Sequence, residues 1–289
     1  MMKNLVKALV PEVIKTNLKA RQQKKALKEK FLHALRPTDV FLVGHPKSGN
    51  TWLAYMLGIV SQGKNYEAVN LKNVSQFVPT IHNVDEEISK SEHLASPRVF
   101  RNEGPTFADL YPKTIYIVRD PRAVLLSYYH HWLHTDSQEH GTLEEFIDEI
   151  LQYGCIRRWD PWLIGWDLQV QEWKARAKRQ AVEMVRYEDL IENRRETFSK
   201  VVDFCSMPCD EALLALAVER GDFQSMRQVE QQHGAESYPG EEGSAKEEKG
   251  FFVRKGVVDS WKEEMPKNVI QKIEAKFQKT MQNLGYQPQ

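Results

Sequence analysis

From Pro37 onward, short apolar runs alternate with longer segments in which apolar residues recur at helical spacing. The runs "DVFLVGH", "TIYIV" and "AVEMV" have strand length and are rich in β-branched and aromatic residues. Strands that alternate with helices are typical of a parallel sheet with helices on its faces. The 289 residues are 41% apolar, enough for one large core. We therefore predict an α/β fold with a central parallel sheet flanked by helices, as a single domain over residues 37–289.

Residues 1–36 follow a different pattern and are predicted to form a basic, amphipathic, helical N-terminal appendage. Residues 1–30 hold nine lysines and arginines against two glutamates. Such a helix either packs on the edge of the domain or makes weak contact with a membrane surface. No apolar run reaches the length of a membrane span, and "LVKALVPEVI" is too interrupted for a signal peptide. We expect a cytoplasmic protein.

Charge and cysteine content narrow the function classes. The chain has 40 Lys and Arg and 40 Asp and Glu, so no global field recruits nucleic acid. Its three cysteines, Cys155, Cys205 and Cys209, do not suggest a disulfide framework or a zinc site. His130 and His134 would share a helix face, but no third ligand is evident and we predict no metal.

The segment "VGHPKSGNTW" resembles a phosphate-binding loop in which the cation is displaced. Gly44 and Gly49 have the P-loop spacing, yet Asn50 stands where the lysine would precede Thr51, and Lys47 lies inside the loop. The loop falls between a predicted strand and the N-terminus of a predicted helix, where unpaired N–H groups and the helix dipole attract anions. These features predict a P-loop-like domain with a bound oxyanion.

Two further clusters suit an anion. Arg119 follows the strand "TIYIV", at the sheet edge where ligands bind, and Ser127 lies eight residues later across the strand-to-helix turn. The alternative is that Arg119 only pairs with Asp120 or Asp189. Further on, "FFVRKG" combines two cations with a glycine that allows close backbone approach.

The order "PKSGNTW", "IVRDPRAVLLSYY", "VRYEDL" and "FFVRKGVVDSWK" resembles the cytosolic-type sulfotransferase family. The resemblance covers residues 37–289 and implies the sulfate donor 3′-phosphoadenosine 5′-phosphosulfate (PAPS), whose product is adenosine 3′,5′-bisphosphate (PAP). It implies three groups of residues that bind the donor. The 5′-phosphosulfate loop is Lys47, Ser48, Gly49, Asn50 and Thr51; the adenine site is Trp52, Tyr187, Phe223 and Met226; the 3′-phosphate site is Arg119, Ser127, Arg254, Lys255 and Gly256.

The displaced lysine suits this donor, since it would reach the oxygen that bridges phosphate and sulfate and offset charge on the leaving phosphate without a metal. In the family a histidine commonly acts as base in a stretch like "PR-x-x-K-[TS]-H". The equivalent "PRVFRNEGP" places Glu103 there, and we expect a partly buried carboxylate to serve as the base. His93 and His82 are the alternatives.

Residues 231–250 carry four glycines and a proline and are predicted to form a mobile lid that closes over the donor. The acceptor would be a small molecule, glycan or lipid with a hydroxyl or amine, and the protein a monomer or homodimer. Two other functions remain open: a nucleotide or nucleoside kinase, and a non-catalytic protein that binds the 3′,5′-bisphosphate nucleotide.

Overall fold

A computed structural model of the chain describes residues 25–81, 88, 90–103, 107–135, 141–154, 164–235, 253 and 256–289. Its centre is a sheet of four parallel strands in the order β2-β1-β3-β4. The strands are β1 (Val40–Val43), β2 (Val99–Asn102), β3 (Lys113–Val118) and β4 (Ala181–Arg186). The predicted α/β fold with a central parallel sheet and flanking helices is confirmed.

Helices connect the strands and cover both faces of the sheet. Those that contact the sheet or carry site residues are α1 (Asn50–Gln62), α2 (Val74–Phe77), α3 (Pro121–Thr135), α4 (Leu143–Tyr153), α5 (Trp166–Arg176), α6 (Tyr187–Glu192), α7 (Arg194–Cys205), α8 (Glu211–Arg220), α9 (Phe223–His233), α10 (Trp261–Glu264) and α11 (Lys267–Gln282). Short 3₁₀ turns span Gly63–Ala68 and Ala108–Leu110. The parallel strands need these crossovers because a tight hairpin cannot join parallel neighbours.

The sheet divides the apolar core into two layers. Alternate residues of β1 point to opposite faces, so Phe41 and Val43 belong to one layer and Val40 and Leu42 to the other. All four are buried. Burial on both faces is what gives a central parallel strand a continuous apolar run instead of an alternating one.

Strand β2 was not among the predicted strands. Its sequence "VFRN" ends in two polar residues, yet all four positions are buried. Arg101 remains satisfied because its Nε donates to the carbonyl oxygen of Val78 at 3.1 Å, and Asn102 donates to the Tyr111 hydroxyl at 2.7 Å. Buried polar side chains with tertiary partners interrupt the apolar pattern on which strand prediction depends.

The chain before β1 packs on the domain. Residues 25–34 are helical, and Phe31 is buried with its ring 6.0 Å from that of Phe41. The predicted boundary at residue 36 stays a prediction, and residues 1–24, with most of the membrane-contact segment, lie outside the described residues. No helix in the described part of the chain is both long enough and apolar enough to cross a bilayer.

A buried ionic cluster joins the start of α3 to the C-terminal helix. Arg122 forms ion pairs with Asp120, at 2.6 Å, and with Glu274 of α11, and its guanidinium lies 3.9 Å from the Trp261 ring centre. Glu188 accepts from the Asp120 amide at 3.0 Å. The cluster fixes the backbone next to Arg119, at the edge of the sheet that carries the candidate site.

Candidate active site

One cavity of about 480 Å³ opens at the carboxyl ends of the strands. In open α/β sheets this edge is the usual place for ligands. Twelve of the predicted site residues line it, and they come from segments far apart in the sequence. They are Lys47, Gly49, Asn50, Thr51, Trp52, Glu103, Arg119, Ser127, Tyr187, Phe223, Met226 and Gly256.

The loop between β1 and α1 has the backbone of an anion site. Lys47 and Gly49 both adopt positive φ, 70° and 110°, a backbone geometry that allows a loop to curve around an anion. The Asn50 side chain closes the loop by donating to the carbonyl oxygen of Gly44 at 3.1 Å. A Cβ on Gly49 would lie 2.8 Å from the Tyr187 ring, so the close approach of α6 also requires glycine. Asn50, in place of the P-loop lysine, thus holds the loop together.

Lys47 projects from this strained loop into the cavity. Burial lowers the pKa of its amine to about 8, the nearby negative charge of Glu103 opposes that shift, and the positive charge of Arg119 adds to it. A lysine with a depressed pKa gains its full charge when an anion arrives. The cavity therefore contains a cation that a bound phosphate would stabilise.

Among the predicted site residues that the structure describes, Ser48 does not line the cavity. Its side chain is fully buried behind the loop, and its hydroxyl has no hydrogen-bond partner among the described residues. Its backbone N–H donates to the carbonyl oxygen of His45 at 3.1 Å. A direct contact between this hydroxyl and a ligand would need a local movement of the loop.

Arg119 lines the cavity and is held there by its neighbours, and within the described ranges it forms no ion pair. Its guanidinium lies 4.0 Å from the Tyr187 ring centre, and its Nη1 donates to the carbonyl oxygen of Lys47 at 3.3 Å. Asp120 pairs with Arg122, and Asp189 faces Arg186 at 3.6 Å. The alternative that Arg119 merely pairs with Asp120 or Asp189 is therefore not what the structure shows.

Aromatic residues also line the cavity. The Trp52 and Tyr187 rings meet edge to face with centres 5.2 Å apart, and the Trp52 indole donates to the carbonyl oxygen of Gly221 at 2.8 Å. Gly256 has φ 62°, and a Cβ there would lie 2.3 Å from the Phe223 ring. The Trp52, Tyr187 and Phe223 rings, here called the aromatic slot, all line the cavity, and aromatic rings can stack on a nucleobase.

Glu103 follows β2 directly and lines the cavity near Lys47. Its backbone is anchored because Gln169 donates to its carbonyl oxygen at 2.9 Å. The side chain is exposed, so the expected partial burial is wrong. Residue 103 comes directly after the last residue of β2, at the cavity.

The structure bears on one of the two histidines considered as alternative bases. His93 is exposed, is absent from the cavity lining and contacts the carbonyl oxygen of Lys90 at 2.9 Å, while His82 lies outside the described residues. His131, on α3 one turn after Ser127, does line the cavity. The spacing from Ser127 was a signal that sequence reasoning missed.

Sequence reasoning also missed Arg194 and Asp222, which line the cavity beside Trp52. Arg194 opens α7 and Asp222 is the N-cap of α9. Neither belongs to the motifs that define the predicted site, and their approach depends on helix packing.

Some predictions fall on residues that are not described. Arg254 and Lys255 of the predicted 3′-phosphate group lie outside the described residues, as does most of the predicted lid. The part of that segment that is described is helical through His233 and ends at Gly234 with φ 76°, so a loop beginning at residue 231 is wrong.

The described residues contain no group of three or more His, Cys, Asp or Glu side chains that could hold a metal ion. His130 lies instead 3.3 Å from a carboxylate oxygen of Glu264, and the side chain of His134 is not among those described.

Comparison with known proteins was decisive for the family. The sulfotransferase domain family matches residues 37–285, which is most of the chain. The chain belongs to the sulfotransferase family. The predicted family and enzyme class are thereby confirmed. Among relatives of this sulfotransferase, sulfotransferase 4A1 of Mus musculus is 27% identical over 259 residues, covering 86% of this chain and 81% of that protein. The amine sulfotransferase of Oryctolagus cuniculus is 25% identical over 264 residues, covering 86% and 82%.

Solved structures show the same fold around this sulfotransferase's sheet. Mouse sulfotransferase SULT7A1, complexed with PAP, aligns with a TM-score of 0.65 and 18% identity over 88% of this chain and 89% of that one. Retinol dehydratase, in a complex with retinol and PAP, aligns with a TM-score of 0.64 and 18% identity over 86% and 82%. At 18% identity, the similarity to these two structures shows a shared fold.

Proposed function

We propose that this sulfotransferase uses PAPS as donor and transfers its sulfuryl group to a hydroxyl or amine of a small molecule, glycan or lipid. One observation carries the proposal: the loop at Lys47, the pair of Arg119 and Ser127, and the aromatic residues that the family resemblance assigns to the adenine all line a single cavity. Known sulfotransferases with this fold, such as the mouse protein, were crystallised with PAP, which supports the choice of nucleotide.

The residues present fit the donor in charge and shape. Lys47 and the N-terminus of α1 suit the 5′-phosphosulfate; Arg119 and Ser127 suit the 3′-phosphate; Trp52 and Phe223 suit the adenine. The buried Ser48 hydroxyl has no partner among the described residues, and a small closure of the loop around an anion would supply one.

The chemistry follows from these positions. The acceptor oxygen or nitrogen forms a bond to sulfur while the bond from sulfur to the bridging oxygen of the 5′-phosphate breaks. Negative charge then grows on that phosphate, and the Lys47 ammonium offsets it. The proton of the acceptor passes to the Glu103 carboxylate, which lines the cavity within electrostatic reach of Lys47. No step needs a metal, since the cationic side chains carry the required charge.

Calorimetric titration with PAP in EDTA, with ATP as competitor, tests the donor site. We expect wild type to bind PAP in preference to ATP, and Arg119→Ala to lose about 10- to 100-fold in affinity, since it removes a charge-assisted contact. Arg179→Ala, on the turn before β4, is the matched control because this arginine does not line the cavity. Binding of ATP alone, and only with magnesium, would return the nucleotide kinase to first place.

Glu103→Gln tests catalysis separately from binding. If Glu103 is the base, PAP affinity persists while turnover of PAPS with a panel of phenols, alcohols and amines falls by about 10²–10⁴-fold. Wild type that binds PAP but transfers sulfate to none of these acceptors would favour the non-catalytic nucleotide-binding protein. Equal turnover by Glu103→Gln and wild type would remove Glu103 from the mechanism.

A further inference from the structure

Trp52, in the aromatic slot, has a fixed position, and Arg194 lies against it. The indole N–H is bound to the Gly221 carbonyl at 2.8 Å and one ring edge meets Tyr187, so the Trp52 ring cannot swing away freely. The Arg194 guanidinium carbon lies 5.6 Å from the Trp52 ring centre, within the range of a cation–π contact. Arg194 therefore forms part of the wall of the aromatic slot.

Asp222 holds Arg194 in place. The Nη1 of Arg194 lies 3.2 Å from one carboxylate oxygen of Asp222, and the other oxygen accepts from the backbone N–H of Gln224 at 3.0 Å. Because Asp222 caps α9, its own position is fixed by the helix. The Arg194 side chain is only 19% exposed, yet both residues line the cavity.

Among the described residues, most of the hydrogen-bonding capacity of Arg194 is unused. A guanidinium has five N–H donors, and within the described residues Arg194 makes one hydrogen bond, to Asp222. Its buried Nε has no partner among the described residues, and a planar cation that is anchored on one side in the cavity lining is pre-organised to donate to a ligand there. The ring nitrogens of a purine are acceptors of the required kind.

We propose that Arg194 recognises the nucleobase of the donor by donating to a ring nitrogen of the adenine, with Asp222 as the positioning residue. This inference rests on the proposed use of PAPS. Stacking on aromatic rings accepts any base. A hydrogen bond from Arg194 would add discrimination between bases.

Two ligands separate base recognition from general electrostatics. PAP carries the base, and 1-deoxyribose 3,5-bisphosphate carries the same phosphates without it. We expect Arg194→Ala to weaken PAP binding by roughly 10- to 100-fold, as for a charge-assisted hydrogen bond, and to change the affinity for the abasic ligand by less than about threefold. Arg195→Ala is the control, because this adjacent arginine is 52% exposed and pairs with Glu211.

Two more variants guard the interpretation. Arg194→Lys keeps the charge beside Asp222 but lacks the planar fork, so it should restore only part of the PAP affinity. Asp222→Asn keeps a helix cap and should weaken PAP more than the abasic ligand, because it frees Arg194.

The outcomes are distinct. If wild type fails to bind PAP, the proposed donor fails and the role of Arg194 with it. If wild type binds PAP but Arg194→Ala binds it equally well, or loses the same factor for both ligands, the donor stands and base recognition by Arg194 is overturned.

Discussion

Donor binding should draw a proton onto the protein at alkaline pH, because Lys47 is partly deprotonated before the nucleotide arrives. Burial lowers the pKa of its amine to about 8, so at about pH 8.5 roughly three quarters of the free molecules carry a neutral Lys47. Phosphate oxygens beside the amine favour its charged form and raise its pKa toward the ordinary value. Binding at about pH 8.5 should then take up about 0.7 proton, and much less near pH 7.

The pKa of Lys47 also determines how PAP affinity changes with pH. Below about pH 8 the free protein already holds the charge that the donor needs, so PAP affinity is nearly constant with respect to Lys47. Above about pH 8, PAP binding must also protonate Lys47, so the affinity for PAP falls as the pH rises. Calorimetry in two buffers of different ionisation enthalpy measures the proton uptake directly.

Lys47→Arg isolates this residue, since a guanidinium remains protonated throughout the range. The variant should bind PAP with almost no proton uptake at about pH 8.5. Lys200→Met, which removes an exposed lysine paired with Glu196, should retain the wild-type uptake. Equal uptake by wild type and Lys47→Arg would refute the reasoning and assign the proton to another group.

Two other substitutions test the fold around the site. Arg122→Met leaves two carboxylates buried without their partner and should lower the free energy of unfolding by about 3–5 kcal/mol in urea denaturation. Lys272→Met, which breaks only exposed ion pairs, should cost at most about 1 kcal/mol, and equal losses would contradict the difference in burial. Gly256→Ala places a methyl group against the Phe223 ring and should weaken PAP binding by about tenfold in calorimetry. Gly63→Ala, with positive φ but open space around it, should leave PAP affinity unchanged, and a similar loss there would refute the steric explanation.

The sequence predicted the parts of the fold whose residues follow local rules. β1, β3 and β4 are apolar enough to be recognised, and the loop at Lys47 sits between strand and helix as its glycines indicate. β2 escaped because Arg101 and Asn102 interrupt its pattern, although tertiary partners satisfy both side chains. Periodicity reports the environment of apolar residues and carries no information about such partners.

The candidate site shows the same division. Residues in ordered motifs, such as Arg119 and Tyr187, line one cavity together. Arg194 and Asp222 were missed because their contact joins the first residue of α7 to the N-cap of α9, which is a long-range outcome of folding. The exposure of Glu103 was equally out of reach, since it depends on how much protein covers the end of β2.

The segments that line the cavity are spread along the chain from Pro46 to Ser260. This spread couples ligand binding to the stability of the fold. A ligand that touches all of these segments acts as a reversible cross-link between distant parts of the chain, and it binds only when they are assembled. At a concentration of 100 times its dissociation constant, such a ligand adds about 2.7 kcal/mol to the free energy of unfolding. The supply of nucleotide would therefore govern how long the protein resists proteolysis, as well as how fast it works.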